Sequence, residues 1–327
     1  MNPFRYVQAQ EQAGAVGQVA GEPRATFLAG GTTLLDLMKL GVQTPATLVD
    51  INRLPLSRIE EHEGGIRIGA LVTNTDLAYH ALVRERYPVL SEAILSGASP
   101  QLRNMATVAG NVMQRTRCTY FRDDVSPCNK RVPGTGCAAL DGFNRSHAVL
   151  GTSEQCIASN PSDMCVALAI LDAVVHVHGP QGTRAIPFHE FHLLPGDTPE
   201  RETVLEHGEL ITAVELPAAP FAARSHYLKV RDRSSYEFAL ASAAVALEVQ
   251  NGIIRTARLA LGGVATKPWR AFAAEQTLVG ARPGEAAYTA CAREALRDAK
   301  GRQFNAFKIE LARRVIVRAL NTLGEMP

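Results

Sequence analysis

Four cysteines, Cys118, Cys128, Cys137 and Cys156, constrain this chain more than any other feature. They read C-x9-C-x8-C-x18-C and lie among turn formers, Ser126-Pro127, Pro133-Gly134 and Gly136, so they belong to loops and not to a packed helix. Four thiolates converging from loops suit a soft, thiophilic centre. The spacing is wider than the C-x2-C knuckles of structural zinc, which favours an iron–sulfur cluster over zinc or disulfides. Only two more cysteines occur in 327 residues, too few for a secreted disulfide scaffold. Cys165 and Cys291 fall on apolar helix faces and read as buried structural thiols.

The remaining sequence reads as α+β. A content of 46% hydrophobic and 20% charged residues is that of a globular chain long enough for two or three cores. The formal charge of +2, with both signs mixed, gives no nucleic-acid surface. No apolar run reaches the roughly eighteen residues of a membrane span. Neither an apolar leader nor a twin-arginine signal is expected at the N-terminus. Strands are predicted at 26–28, 47–51, 66–71 and 174–178, and helices from Asp76, over 88–95 and over 161–171, the last capped at Asn160 with Pro161 at its first position. Between them, 115–156 is a long irregular insertion, which a compact domain keeps only if something ties it down. Pro217-Ala218-Ala219-Pro220 reads as a linker. Beyond it, 238–249 and 253–261 form a hairpin on Asn251-Gly252, and 302–322 a final amphipathic helix.

Two loops have the makings of an anion nest. Ala29-Gly30-Gly31-Thr32-Thr33 joins a strand to a helix, where bare glycine backbone, the helix N-terminus and Thr hydroxyls can converge on a pyrophosphate. Thr107, Ala109, Gly110 and Asn111 form a second nest, and the two could clamp a diphosphate from both sides. The G-x-G-x-x-G fingerprint of a nicotinamide fold is absent. His176 and His178 share one side of a strand without a third ligand nearby in sequence, and read as exposed. Asp123-Asp124 reads as a solvated pair, Tyr227 and Tyr236 as packing residues, and Trp269 as a core anchor.

LAGGTTLLDLMK, RNMATVAGNVMQRTRC, the insertion TRCTYFRDDVSPCNKRVPGTGCAAL with CIASNPSD, and late in the chain YLKVRDRSSYEFALAS and LGGVATKPWRA together resemble one family across essentially the whole sequence. It is the FAD-binding medium subunit of molybdenum hydroxylases, the xanthine dehydrogenase and aldehyde oxidoreductase family. The insertion is most similar to the branch of periplasmic aldehyde oxidoreductases whose flavin subunit carries an extra [4Fe–4S] cluster. The resemblance implies a two-part FAD-binding domain (PCMH type) over 1–220, with the cluster insertion at about 115–157. A smaller α+β domain of the CO dehydrogenase flavoprotein type follows over 221–327.

Residue by residue, it implies that Leu28, Ala29, Gly30, Gly31, Thr32, Thr33 and Leu34 wrap the FAD diphosphate, with Thr107, Gly110 and Asn111 closing on it. Asp163 should bond the ribityl or ring end, Ile211 pack near the isoalloxazine, and Lys229 lie at its polar edge. Cys118, Cys128, Cys137 and Cys156 should hold the cluster. Asn160 stands where relatives often carry His, and Ala109 where some carry Gly. Implied partners are a large molybdopterin subunit, a small [2Fe–2S] subunit and an external electron acceptor. The complex is expected to reach the periplasm through a signal-bearing partner, or else to stay cytoplasmic. A 4-hydroxybenzoyl-CoA reductase-like subunit with reversed electron flow and a zinc-stabilised binding module are the alternatives.

Overall fold

A computed structural model describes residues 1–325. Three sheets organise the chain. The first is small and parallel, β1 (Arg5–Gln8), β3 (Thr47–Asp50) and β2 (Ala25–Leu28) in the order β1-β3-β2. The central β3 is buried at every position, as its apolar run requires. A five-stranded antiparallel sheet follows in the order β4-β5-β8-β6-β7, from β4 (Ile59–His62), β5 (Gly65–Gly69), β6 (Val174–Gly179), β7 (Gly182–Pro187) and β8 (Leu210–Leu216). β6 alternates buried and half-buried residues, the mark of a sheet with one wet face.

The third sheet, β12-β11-β10-β9, comprises β9 (Ser225–Val230), β10 (Ala241–Gln250), β11 (Ile253–Gly262) and β12 (Trp269–Arg270). The predicted hairpin forms: Asn251 and Gly252 take φ of 54° and 74°, the paired left-handed angles of a tight two-residue turn. β10 begins at Ala241 and is buried on both sides. Its Ala244 and Ala246 join the core of the first two sheets, while Ala243, Val245 and Leu247 join a second core under the C-terminal helices. Small residues on the inner side let the helix Asp163–Ile170 pack close. The stretch after Pro217 is therefore no loose tether, because the first core extends across it into β10 and β11.

Two helix starts differ from expectation. Ser162 caps the helix Asp163–Ile170, its hydroxyl accepting from Cys165 N at 3.1 Å, while Asn160 closes a turn by accepting from Ser162 N at 3.0 Å. The last helix begins at Phe307, because Asn305 Oδ1 accepts from Arg302 N at 2.6 Å and holds the preceding residues in a turn. Between residues 115 and 157 the one regular element is the short helix Thr119–Arg122, so the insertion is as irregular as its composition implies.

Candidate functional site: a bilobed cleft and a cysteine cavity

The strand β2 ends in Ala29-Gly30-Gly31 and turns into the helix Leu34–Lys39. Gly30 lies against the Met105 backbone so closely that a Cβ there would sit 1.8 Å from the carbonyl oxygen. Gly31 has φ of 71°, a conformation open to glycine and costly to most residues. The loop thus docks bare backbone onto the second nest. Thr107 caps the helix Val108–Val112, its hydroxyl accepting from Gly110 N at 3.2 Å. Asn111 Oδ1 accepts from Ser162 Oγ at 2.8 Å, which ties the nest to the helix Asp163–Ile170.

Two cavities open from this junction, and Thr32, Thr33, Gly110, Gln114 and Pro161 line both. The first, about 420 Å³, runs past Leu34, Ala109, Ile211 and His192, with Arg115, Lys130 and Arg201 among its walls. Arg115 and Lys130 are held by Glu202, the latter at 3.0 Å. The second, about 390 Å³, contains Asp163, Lys229, Arg103, Tyr236 and Phe238. Asp163 and Lys229 form a buried ion pair at 2.7 Å, and Tyr227 donates to the other carboxylate oxygen at 2.6 Å. Lys229 also donates to Ser96 O at 3.1 Å. Burial, and then the Asp163 charge, pushes the Tyr227 phenol well above its usual range, so it stays a donor.

Behind the first cavity, Cys118, Cys128, Cys137 and Cys156 surround a small space of about 10 Å³. Cys128 and Cys137 pair as an isolated antiparallel bridge, Cys118 starts the helix Thr119–Arg122, and all four are free thiols. Burial pushes the Cys118 thiol up to about 12, against the N–H groups of Phe121 and Tyr120 that favour the anion; Cys156 reaches about 11 for the same first reason. Ala158 N donates to Cys156 Sγ at 3.4 Å, and His147 Nε2 lies 3.1 Å from Cys118 Sγ. Burial, and then the charge of Lys308, lowers the His147 pKa to about 4, leaving the ring neutral. Among the described residues, the one group of three or more His, Cys, Asp or Glu ligand atoms all lying within 4.8 Å of one another is His62, Glu63 and Glu215. No three of the four sulfurs therefore lie mutually within 4.8 Å. Cys156 and Lys130 line both this space and the first cavity, so the cysteine loop forms part of the cleft wall.

The sequence profile described as "FAD binding domain in molybdopterin dehydrogenase" matches residues 2–219, and "CO dehydrogenase flavoprotein C-terminal domain" matches 226–323. The chain is 51% identical to the aldehyde oxidoreductase FAD-binding subunit PaoB of Escherichia coli, over 98% of each chain. This chain is an FAD-binding subunit of the molybdenum hydroxylase family. It is also 28% identical to the glyceraldehyde dehydrogenase medium chain of Sulfolobus acidocaldarius, over 85% of this chain and 81% of that one. The solved carbon monoxide dehydrogenase of Hydrogenophaga pseudoflava superimposes with a TM-score of 0.77 at 28% identity, covering 99% of both chains. No helix among the described residues is long and apolar enough to cross a membrane.

Against the residues that membership in the molybdenum hydroxylase family suggests, the structure gathers Ala29 to Leu34, Thr107 and Gly110 along the first cavity, and Asn111, Asp163 and Lys229 along the second. Leu28 borders neither cavity; it is the last residue of β2, and its carbonyl accepts from Ile51 N at 3.0 Å. Ile211 stands in the first cavity, while Asp163 and Lys229 line the second, which adjoins it. Tyr227, read as a packing residue, does lie in the core but also serves the site, whereas Tyr236, read the same way, does not pack. The first bonds Asp163, and the second sits half-exposed at φ 53° on the rim of the second cavity. His176 is not free either, since Glu215 lies 2.9 Å away and His62 3.6 Å from the same carboxylate oxygen. Sheet pairing brings these together, and no local spacing could reveal it.

Proposed function

We propose that this chain is the FAD- and [4Fe–4S]-carrying electron-transfer subunit of a heterotrimeric molybdenum-dependent aldehyde oxidoreductase, passing electrons from molybdenum and [2Fe–2S] subunits to an external acceptor. The observation that carries the cofactor reading is the bilobed cleft whose halves meet at Thr32, Thr33 and Gly110, beside a loop where side chains are sterically excluded. A dinucleotide has that outline, with a diphosphate at its waist and a ring system at each end. Arg103 in the second cavity and the bare N–H groups of the glycine loop offer an anionic diphosphate donors without a carboxylate partner, whereas Arg115 and Lys130 are paired with Glu202, Arg201 with Glu206 and Lys229 with Asp163. Bound FAD would supply an electron store that accepts or releases electrons singly or in pairs. The protein's part is to hold the diphosphate on bare N–H groups and to keep Asp163, Lys229 and Tyr227 aligned on the second cavity.

The cysteine cavity supports the cluster reading on two counts. All four thiols line one enclosed space, and no three of their sulfurs lie mutually within 4.8 Å, whereas a tetrahedral zinc–thiolate site holds them at ~3.8 Å. Four thiolates at this spread fit a multi-iron centre. The aldehyde as substrate class is supported by the similarity to PaoB across the whole chain. Under the same reading, the assembled complex travels folded to the periplasm with a signal-bearing partner, and cell fractionation with iron and molybdenum assay tests this; both metals confined to the cytosol would overturn it.

The central test is metal and flavin analysis of the complex purified under anaerobic conditions. The expected content is one FAD and about four irons in this subunit, with molybdenum in a partner. Cys128→Ser should lose that iron and keep most of the FAD. A colourless, zinc-containing protein, or iron retained in the serine variant, would remove the cluster assignment.

A further inference from the structure

The cysteine cavity has an imidazole at its edge that the ligand set leaves unused. His147 is 2% exposed, and its Nε2 lies 3.1 Å from the sulfur of Cys118. The ring is fixed from behind by the C-terminal helix region. Lys308, itself fully buried, donates through Nζ to the carbonyls of His147 at 2.9 Å, Ser146 at 3.1 Å and Gly263 at 2.6 Å. Asn305 Nδ2 donates to Ala148 O at 3.1 Å. A thiolate bound to iron carries no proton, so any hydrogen between these two atoms belongs to the imidazole. The other ring nitrogen, Nδ1, is buried without a hydrogen-bond partner, and the nearby Asn144 carbonyl already accepts from His147 N at 3.0 Å. Nε2 is therefore the nitrogen that the fold aims at the Cys118 sulfur, and the one placed to donate to it.

We infer that His147 is a positioning residue for the iron–sulfur centre, donating Nε2–H to the Cys118 sulfur and raising the centre's reduction potential. The inference rests on the reading that the four cysteines hold a cluster. A hydrogen bond to a ligating sulfur draws charge from the metal, and the reduced centre, one electron more negative, gains more from it than the oxidised one. The edge so tuned faces the flavin side. Cys118 and His147 border a polar cavity that also touches Asp163 and Phe238, two residues of the cleft's second lobe. Cys156, on the opposite wall, receives a backbone donor from Ala158, which no side-chain substitution removes.

The test is a dithionite titration of the whole complex followed by electron paramagnetic resonance, in the wild type, His147→Leu and His147→Gln. Leucine should keep the iron and FAD content, move the midpoint of the four-iron signal to more negative potential, and abolish an exchangeable-proton coupling to that signal. Glutamine, whose amide N–H can reach the same sulfur, should restore most of the shift and the coupling. An unchanged or raised midpoint in the leucine variant, or loss of its iron, overturns the inference and leaves the cluster assignment standing. Wild-type protein free of iron removes that assignment as well, so the two failures are told apart.

Discussion

The dinucleotide cleft and the cysteine cavity share a wall, yet they are built in opposite ways. The cleft is made by element ends. A strand stops at Leu28, a helix starts at Leu34, another starts at Val108, and backbone meets backbone where Gly30 touches Met105. The cysteine loop has almost no regular elements, and its shape is set by side chains of its own and of the C-terminal region. Lys308 and Asn305 hold 146–148, Arg131 donates to the carbonyls of Tyr120 and Phe121 at 2.8 and 2.9 Å, and Asn129 bridges Gln155 and Gly136. Element ends give a binding surface that survives most substitutions except those at the closest backbone approach. Pegged loops spread the same task over many bonds, each replaceable in part.

The largest effect should come at that closest approach. Gly30→Val puts a branched side chain into the Met105 carbonyl, where even a Cβ lies 1.8 Å away, and the expected product is insoluble or flavin-free protein, read by absorbance at the flavin bands. A soluble variant with full FAD would break the claim that backbone contact shapes the cleft. Next comes the buried pair. Asp163→Asn leaves Lys229 charged without its partner and should cost about 3–5 kcal/mol in denaturant unfolding. A double-mutant cycle with Lys229→Met should recover much of that loss.

The cysteine region should yield a smaller, local response. Lys308→Met strips the donor from three carbonyls, an expected loss of about 2–3 kcal/mol, with faster amide exchange around 146–148 and the cleft unaffected. Equal loosening of both regions would deny that they are separately built. The effect that is smallest at neutral pH, and grows only in alkali, concerns the thiols outside both regions. Burial raises Cys165 and Cys291 to about 12 from an unfolded value near 9.0. Their contribution to stability is complete below pH 9.0 and is lost as pH rises toward 12, at about 1.4 kcal/mol per pH unit for each thiol. Cys165→Ala should flatten part of the fall in melting temperature across that alkaline range.

Much of the cleft was legible because its chemistry is local. Gly-Gly after an apolar strand and Thr before a short helix each announce their geometry within a few residues, whereas Asn160, read as a helix cap, closes a turn and leaves the capping to Ser162. The four cysteines were legible by type and spacing. What stayed hidden was everything made by distant pairing. Tyr227 reaches Asp163 across 64 positions, and Lys308 reaches His147 across 161. Glu215 meets His176 only because β8 pairs with β6. The separation of Ile211 from Asp163 was equally invisible, since both precede or follow plain apolar runs and nothing local says which lobe each will face.

The strand β10, covered by apolar groups on its two sides, has a bearing on how this polypeptide must be handled in the laboratory. A scissor cut near residue 220, though it follows the proline-rich seam, would bare one greasy flank on each fragment. The two pieces make sense only when synthesised, and retained, as one.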